Sequence, residues 1–362
     1  MERLASNPWR LCVAPMMDWT DRHCRYFHRL LSPHARLYTE MVTAAALVRG
    51  ERMHLLAHSA EERPVALQLG GADPAELAQA ACYGEQAGFD EINLNVGCPS
   101  DRVKSGRFGA CLMREPELVA DCVRAMREAV SVPVTVKCRI GVDDQDDDAD
   151  LFAFAARMVG AGVRVLIVHA RKAWLEGLSP RQNREIPPLD HPRVHRLKRE
   201  FPELAVVING GIGGLPSVRQ QLRCVDGVML GRLAYHDPYA LAQIDAGLFD
   251  GEAPAREVVL QRMRRYVEAE CGRGVRLASI TRHVLGLYHG ETGGKAFRRL
   301  LSEQARAVGS GWEVLEAALQ RVGAADVHAP AQAAGAGLPT CQSAASNRVF
   351  STNSKDCRMI VG

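Results

Sequence analysis

The sequence predicts a (β/α)8 TIM barrel followed by a small helical domain, and three observations support this prediction. Short apolar segments recur at regular separation over about 240 residues, and helical patterns lie between them. Most of these segments are apolar at nearly every position, as is typical of parallel strands that are buried on both faces. A doubly wound open sheet would give a similar alternation, but no G-x-G-x-x-G motif follows the first strand.

The predicted strands number eight. They cover residues 11–16, 37–41, 64–71, 91–99, 133–141, 164–171, 205–212 and 227–232. Two of the helices between them, at residues 73–88 and 115–130, begin with Asp-Pro or Glu-Pro and repeat an apolar residue every three to four positions. The fourth strand differs from the others because Asn93 and Asn95 alternate with apolar residues. A polar face inside a strand needs hydrogen-bonding partners.

Composition limits the class of protein. The chain has 362 residues, of which 47% are hydrophobic, and this is enough for a large core. Its apolar runs fall short of the roughly 18 residues of a membrane span, and residues 1–10 have no secretory signal pattern. None of the eleven cysteines lies in a C-x-x-C pair or at zinc-ligand spacing. We therefore expect a cytoplasmic monomer with no membrane partner and no metal.

Charge is unevenly distributed along the chain. Residues 255–323 contain twelve Lys or Arg and seven acids, whereas residues 1–254 contain 30 and 33. Apolar residues at helical spacing, among them Ile280, Phe297, Val308 and Trp312, predict a small helical bundle in this basic segment. A basic module can be an ordinary solvated surface or can bind the backbone of a nucleic acid.

Polar residues and glycines cluster at the ends of the predicted strands, where barrel enzymes form their active sites. They are Met16, Met17, Glu40, Gln68, Asn95, Cys98, Lys137, Arg139, His169, Arg171, Asn209, Gly210, Gly211, Gly231 and Arg232. The glycines follow strands seven and eight, where backbone N–H groups can bind a phosphate, and a Lys or Arg would neutralise its charge. The sequence therefore predicts a phosphorylated cofactor or substrate.

The sequence also resembles a known family, the bacterial tRNA-dihydrouridine synthases, and within it the class that reduces D-loop uridines 20 and 20a. The resemblance covers roughly residues 10–322. It depends on long strings, including VAPMMDWTDRHCRYF, YTEMV, ALQLGG, EINLNVGCPSDRV, RFGACLM, VKCRIGVDD, VHARKAWLEGLSP, NREIPPL, INGGI, GVMLGR and RHVLGLYHG. It implies a barrel that binds flavin mononucleotide (FMN), with NADPH or NADH as reductant and tRNA as substrate.

The resemblance also implies roles for individual residues. Cys98 would be the catalytic acid, since a thiol is mostly protonated at neutral pH and still gives up its proton readily. The implied cofactor-binding residues are Pro15, Met16, Met17, Gln68, Lys137, His169, Asn209, Gly210, Gly211, Gly231 and Arg232, and the implied tRNA-binding residues are Asn95, Arg181, Arg184, Lys295, Arg298 and Arg299. The implied domains are a catalytic barrel at 1–250 and a tRNA-binding helical domain at 251–323. Residues 324–362 fall outside the resemblance, and their content of Ala, Gly, Ser and Asn predicts a disordered tail.

Three other functions are compatible with parts of the sequence. A barrel aldolase with a Schiff base on Lys137 would use the lysine and the phosphate site, but neither Cys98 nor the basic segment. A flavin dehydrogenase of a free pyrimidine would use a cysteine without needing the basic surface. An RNA-binding protein without catalysis would leave the polar residues at the strand ends unexplained.

Overall fold

Eight parallel strands form one sheet in the computed structural model, which describes residues 7–100, 103, 105–145 and 147–327. The strands are β1 (Leu11–Val13), β2 (Leu37–Thr43), β3 (Val65–Gly70), β4 (Glu91–Val96), β5 (Val134–Arg139), β6 (Val165–His169), β7 (Ala205–Asn209) and β8 (Gly227–Leu230). Each predicted strand is confirmed, although most are shorter than the predicted segment at one or both ends.

The sheet closes on itself. Its order is β1-β8-β7-β6-β5-β4-β3-β2, and its two ends meet at a parallel bridge between Cys12 and Arg36. The bridge is made by two backbone hydrogen bonds of 2.9 Å, from Val13 N to Arg36 O and from Arg36 N to Leu11 O. The predicted (β/α)8 barrel is confirmed, and all strand ends that carry the polar residues therefore lie on one face.

Helices alternate with the strands and continue after them. Around the barrel they are α1 (Arg22–Leu31), α2 (Ala44–Val48), α3 (Pro74–Gln86), α4 (Pro116–Ala129), α5 (Asp148–Gly160), α6 (His191–Glu200), α7 (Leu215–Gln221), α8 (Arg232–His236) and α9 (Pro238–Leu248). Both clearly patterned helices are confirmed. Asp73 caps α3, and Asp147 caps α5, because each carboxylate accepts a hydrogen bond from the backbone N–H three residues later.

The opposite, N-terminal end of the barrel is filled by a buried carboxylate. Glu91 accepts hydrogen bonds from Trp9 Nε1 at 2.6 Å and from Tyr38 OH at 2.8 Å, and Arg36 lies 3.3 Å away. Burial raises the pKa of Glu91, and the Arg36 guanidinium opposes that change. This cluster forms the closed N-terminal end of the barrel, its floor. The polar side chains of β4 lie above it in the barrel interior.

Four helices follow the barrel. They are α10 (Arg256–Gly272), α11 (Leu277–Thr281), α12 (Gly294–Gln304) and α13 (Trp312–Val327). Of the apolar positions named above, Ile280, Phe297 and Trp312 are buried, whereas the prediction is wrong at Val308. Val308 is fully exposed because α12 ends at Gln304 and the chain turns through Gly309, whose φ is +82°.

The predicted domain boundaries lie at residues 250 and 323. The barrel and the four later helices belong to one compact unit that extends to Val327, so the boundary at 250 stays a prediction. Helix α13 continues through residues 324–327, which the sequence assigned to the tail. The rest of the predicted tail, residues 328–362, lies outside the described residues.

Candidate active site

A chain of hydrogen-bonded side chains runs through the barrel interior from the floor to the mouth. Glu91 accepts a hydrogen bond from Thr135 Oγ1, which accepts one from Asn93 Nδ2 at 2.8 Å. Gln68 Nε2 donates to Asn93 Oδ1 at 2.8 Å, and Asn95 Nδ2 donates to Gln68 Oε1 at 2.8 Å. The polar face predicted for the fourth strand thus has its partners inside the barrel.

Cys98 lies directly above this chain, in the loop after β4. The backbone N–H groups of Gly97 and Cys98 both donate to Asn95 Oδ1, at 3.1 and 3.0 Å. The carbonyl of Cys98 accepts from Ala110 N at 2.9 Å, and its thiol donates to Ser100 Oγ at 3.4 Å. The backbone of Cys98 is therefore held at both its N–H and its carbonyl. The thiol is half-buried and can still be reached from the mouth of the barrel.

Arg139 holds the same loop from the neighbouring strand. The sequence offers Arg139, with Lys137 and Arg232, as one of three alternative cations for a phosphate. Instead, its guanidinium donates to three backbone carbonyls, those of Gly97 at 3.0 Å, Asn183 at 2.8 Å and Lys172 at 3.3 Å. Arg139 is buried, and it connects the loop after β4 to the loop after β6.

Lys137 and His169 stand at the mouth, and their side chains have no hydrogen-bond partner among the described residues. Lys137 pairs with Asn95 in the β4–β5 register, and His169 pairs with Asn209 in the β6–β7 register. Burial and the nearby Arg139 lower the pKa of Lys137 to about 8, and burial together with several cations lowers the pKa of His169 well below its ordinary value. A half-buried ammonium whose side chain has no partner in the described part of the chain is suited to an anionic ligand.

Gly210 and Gly211 form a turn after β7. A side chain at either position would collide with neighbouring residues. Their φ values are +108° and +70°, and a Cβ on Gly210 would lie 2.9 Å from the His169 ring. A Cβ on Gly211 would lie 2.3 Å from Leu189, whereas one on Gly231 would meet only open space. In the described part of the chain, the backbone N–H groups of these three glycines have no acceptor. The turn and the open space at Gly231 fit a bound phosphate group.

The arginines predicted to bind phosphate and tRNA form ion pairs of their own. Arg232 Nη1 lies 2.8 Å from Glu185 Oε1, and Arg181 Nε lies 3.5 Å from the same oxygen. Arg184 lies beside them, since its main-chain carbonyl accepts a hydrogen bond from Arg232 Nη2 at 3.5 Å. Burial and the neighbouring Arg232 lower the pKa of Arg184. Glu185, which the sequence did not single out, therefore brings the predicted phosphate-binding and tRNA-binding arginines together.

The loop after β1 carries Pro15, Met16 and Met17 and is held from both sides. Glu40 accepts a hydrogen bond from the backbone N–H of Asp18, and Arg282 of the later helices donates to the Asp18 carbonyl. Met17 is 53% exposed, so its side chain is available for contact with a flat ligand.

Among the described residues, the predicted tRNA-binding side chains of α12 make no hydrogen bond or ion pair with this cluster. Lys295, Arg298 and Arg299 are all exposed, and Arg299 pairs with Glu303 one turn later at 2.9 Å. The remaining predicted cofactor residue, Asn209, is buried at the end of β7, and its Nδ2 donates to Met229 O at 2.8 Å. The described residues contain no group of three or more acids, cysteines or histidines that could hold a metal ion, and no helix among them is long and apolar enough to cross a membrane.

Two residues that organise the site, Asn183 and His191, are not predicted from the sequence. Asn183 is fully buried and binds Trp174 through both backbone groups, at 2.7 and 2.9 Å, so it shapes the loop after β6. His191 binds the carbonyl of Gly210 at 2.8 Å. The string NREIPPL contains Asn183 and indicates a structured loop, but its spacing does not show which groups the asparagine contacts.

Together, the closed barrel, the thiol at the end of β4 and the cation and glycines at neighbouring strand ends define a (β/α)8 barrel enzyme with its site at the C-terminal face. A family model described as "Dihydrouridine synthase (Dus)" matches residues 12–323. The chain belongs to the dihydrouridine synthase family, and the resemblance seen in the sequence is confirmed.

Relatives from several bacteria are similar over nearly their whole length. The chain is 59% identical over 312 residues to a tRNA-dihydrouridine(20/20a) synthase of Xanthomonas campestris pv. campestris, which covers 86% of this chain and 93% of that relative. Relatives with the same name in Salmonella typhimurium and Vibrio cholerae are 56% and 54% identical; they cover 87% and 86% of this chain, and 95% and 96% of their own length.

One solved structure is similar to this chain in fold only. A 2-naphthoyl-CoA reductase in complex with 2-naphthoyl-CoA superposes with a TM-score of 0.53 at 11% identity. The match covers 66% of this chain and 50% of the reductase chain, so it extends over half of that protein's length.

Proposed function

We propose that this protein reduces uridine to 5,6-dihydrouridine in the D-loop of tRNA, at positions 20 and 20a, with FMN as cofactor and NADPH or NADH as reductant. The observation that carries the proposal is the position of Cys98. Its backbone is tied through Asn95 to the barrel interior, and Asn95 pairs in register with the unpartnered Lys137. Family membership and the names of the relatives support the same reaction.

The residues at the mouth fit a phosphorylated flavin. The backbone N–H groups of Gly210, Gly211 and Gly231 would bind the phosphate, and Arg232 would neutralise it after leaving Glu185. Lys137 would stabilise negative charge on the flavin ring, and His169 and Asn209 would line the chain between ring and phosphate. Pro15, Met16 and Met17 would pack against the ring, while Gln68 would support it from the interior.

When bound, reduced FMN supplies a hydride to C6 of the uracil, after reduction by the nicotinamide. The protein must supply the proton for C5, and the Cys98 thiol is the acid at the correct strand end. The Cys98 thiol would give its proton to C5 as the 5,6 double bond is lost, and the thiolate left behind would take a new proton from solvent. One amide N–H of Asn95 has no acceptor among the described residues, and this N–H would orient the substrate.

The tRNA would be held by two groups of cations. Arg181 and Arg184 lie in the loop after β6 beside the site, and Lys295, Arg298 and Arg299 lie on α12. The segment that contains α12 has a formal charge of +5, as expected for binding to a phosphate backbone.

The test is reconstitution from purified components. The full-length protein should be yellow and should release FMN on denaturation. With NADPH and an unmodified tRNA transcript, mass mapping should show two added hydrogens at uridines 20 and 20a, and free uridine should not react. A colourless protein that FMN does not reconstitute would contradict the mechanism, and reaction of free uridine but not of tRNA would indicate a dehydrogenase of free pyrimidines.

A further inference from the structure

Three side chains behind the Gly210–Gly211 turn form a chain of hydrogen bonds. His191 Nε2 lies 2.8 Å from Gly210 O, and Gln221 Nε2 lies 3.2 Å from His191 Nδ1. His195 Nε2 lies 2.8 Å from Gln221 Oε1. His191 is the first residue of α6, and Gln221, the last residue of α7, is buried. The chain therefore connects two barrel helices to the turn.

With both histidine rings neutral, one arrangement of hydrogens satisfies all three bonds. A carbonyl oxygen accepts only, so His191 Nε2 donates to Gly210. Its Nδ1 is then the acceptor of the neutral ring and receives the amide N–H of Gln221. The amide oxygen of Gln221 consequently accepts from His195 Nε2. Each polar group has a complementary partner, which is typical of a network that fixes an orientation.

The bond to Gly210 has a consequence for the next peptide N–H. In a trans peptide, the C=O of Gly210 and the N–H of Gly211 point in opposite directions. The hydrogen bond from His191 therefore turns the Gly211 N–H away from α6. Two consecutive glycines at positive φ also allow the opposite peptide orientation, because no Cβ opposes it. A side-chain bond is needed to select one orientation.

We propose that His191 is a positioning residue for the FMN phosphate, an assignment that rests on the proposed function. By holding the Gly210 carbonyl, it keeps the Gly211 N–H in the orientation that binds a phosphate monoester. Among the described residues this N–H has no acceptor, so it is available to a ligand. Gln221 and His195 act through His191 and fix its ring.

The experiment compares FMN with riboflavin, which lacks only the phosphate. Flavin-free full-length protein is titrated with each ligand, and binding is followed by flavin fluorescence. His191→Phe keeps a ring of similar size and removes the donor. We expect its affinity for FMN to fall about tenfold, the usual range for loss of one hydrogen bond to a charged group, while its affinity for riboflavin is unchanged.

Two further variants isolate the donor. His191→Gln retains an N–H of similar reach and should recover most of the FMN affinity. His54→Phe, a matched change at an exposed histidine of the 3-10 helix Met53–Leu56, should alter neither affinity. If His191→Phe does not fold, Gln221→Leu should show a smaller loss that is likewise confined to FMN.

The outcomes separate this inference from the proposed function. A loss confined to FMN supports the inference. Equal losses for FMN and riboflavin, or no loss for either, would overturn the inference about His191. The proposed function would stay intact as long as the wild-type protein binds FMN. A wild-type protein that binds neither flavin would overturn both.

Discussion

Asn95 fixes the backbone of Cys98 through a single amide oxygen, which accepts the Cys98 N–H at 3.0 Å. The other end of the same amide donates to Gln68 at 2.8 Å, deep in the barrel. The proposed acid is therefore connected to the barrel core by buried hydrogen bonds and does not depend on its loop alone. Buried networks of this kind are strongly disturbed when one member is removed.

Asn95→Leu tests this connection. The substitution leaves the N–H of Cys98 and the amide oxygen of Gln68 without a partner, so we expect the free energy of unfolding to fall by about 1–3 kcal/mol. Reduction of tRNA should slow more than reduction of the flavin by NADPH. Urea unfolding and stopped-flow absorbance measure the two effects. Equal slowing of both steps would show that Asn95 supports the barrel in general and not Cys98.

Gly70→Ala tests a second contact with the Cys98 loop. Phe108 packs over Gly70, and a Cβ there would lie 2.8 Å from the Phe108 ring and 2.9 Å from Met41 Sδ. The ring also borders a cavity of about 580 Å³ into which it could move. Phe108 lies two residues before Ala110, whose N–H binds the Cys98 carbonyl. We therefore expect alkylation of Cys98 by iodoacetamide to become several times faster.

The matched control for that change is Gly251→Ala, since a Cβ on Gly251 meets no atom within 4 Å. Its Cys98 alkylation rate, followed by peptide mass spectrometry, should equal that of wild type. An unchanged rate in Gly70→Ala would mean that Phe108 has no influence on the position of Cys98.

Lys137→Met should change stability in a pH-dependent way. The folded protein without flavin lowers the pKa of Lys137 from 10.5 to about 8, so it binds this proton more weakly than the unfolded chain does. The resulting destabilisation is complete below about pH 8 and disappears as pH rises towards 10.5. Flavin-free Lys137→Met should therefore have a higher Tm than wild type at pH 7, and the difference should shrink by pH 10.

Bound FMN should reverse the sign of this Tm difference at pH 7, so that wild type becomes more stable than Lys137→Met. The reason is that the Lys137 ammonium then has an anionic partner. Thermal unfolding with and without FMN, at both pH values, makes the comparison, and Lys295→Met on the exposed face of α12 is the control. A Tm difference that does not depend on pH or on FMN would exclude Lys137 as the cation beside the flavin.

Replacing Lys295, Arg298 and Arg299 with Gln tests the proposed tRNA surface. We expect tRNA binding to weaken by about 1–3 kcal/mol and the log–log dependence of affinity on salt to flatten, since each phosphate contact contributes about 0.7 to 0.9 to the slope. Flavin content should not change. Binding is measured at several salt concentrations.

The control variant removes the same number of positive charges, three, from another part of the surface. Arg124, Arg157 and Arg199 are exposed on α4, α5 and α6, and their replacement by Gln should reduce affinity less and leave the slope nearly unchanged. Equal effects of the two triple variants would indicate attraction by net charge rather than docking on α12.

The fold could be predicted because burial on both faces gives parallel strands a simple signal. Ile92 and Leu94 face the helices and are apolar, whereas Asn93 and Asn95 interrupt the pattern because they belong to the interior chain. The failure at Val308 has the same origin. Helical spacing indicates which face would be buried, but it does not detect a turn such as the one at Gly309.

The site was predictable in its residue types but not in its pairings. Cys98 and Lys137 stand at strand ends and carry reactive groups, so the barrel topology alone made them candidates. The partners of Arg139 and Arg232 lie more than 40 residues away in sequence, at Asn183 and Glu185. Periodicity reports burial and carries no information about which polar groups meet across loops, so the sequence leaves Arg139 as one of three alternative cations, with Lys137 and Arg232, for a phosphate.

The most direct test of the account separates hydride delivery from proton delivery in Cys98→Ala. FMN-loaded protein is reduced with NADPH and then mixed with unmodified tRNA, and flavin absorbance follows each step. Reduction by NADPH should proceed at the wild-type rate, whereas reoxidation by tRNA should be at least about a hundredfold slower, the usual range for loss of a general acid. Reoxidation by tRNA at a near-normal rate would show that Cys98 is not the proton donor and would contradict the proposed mechanism.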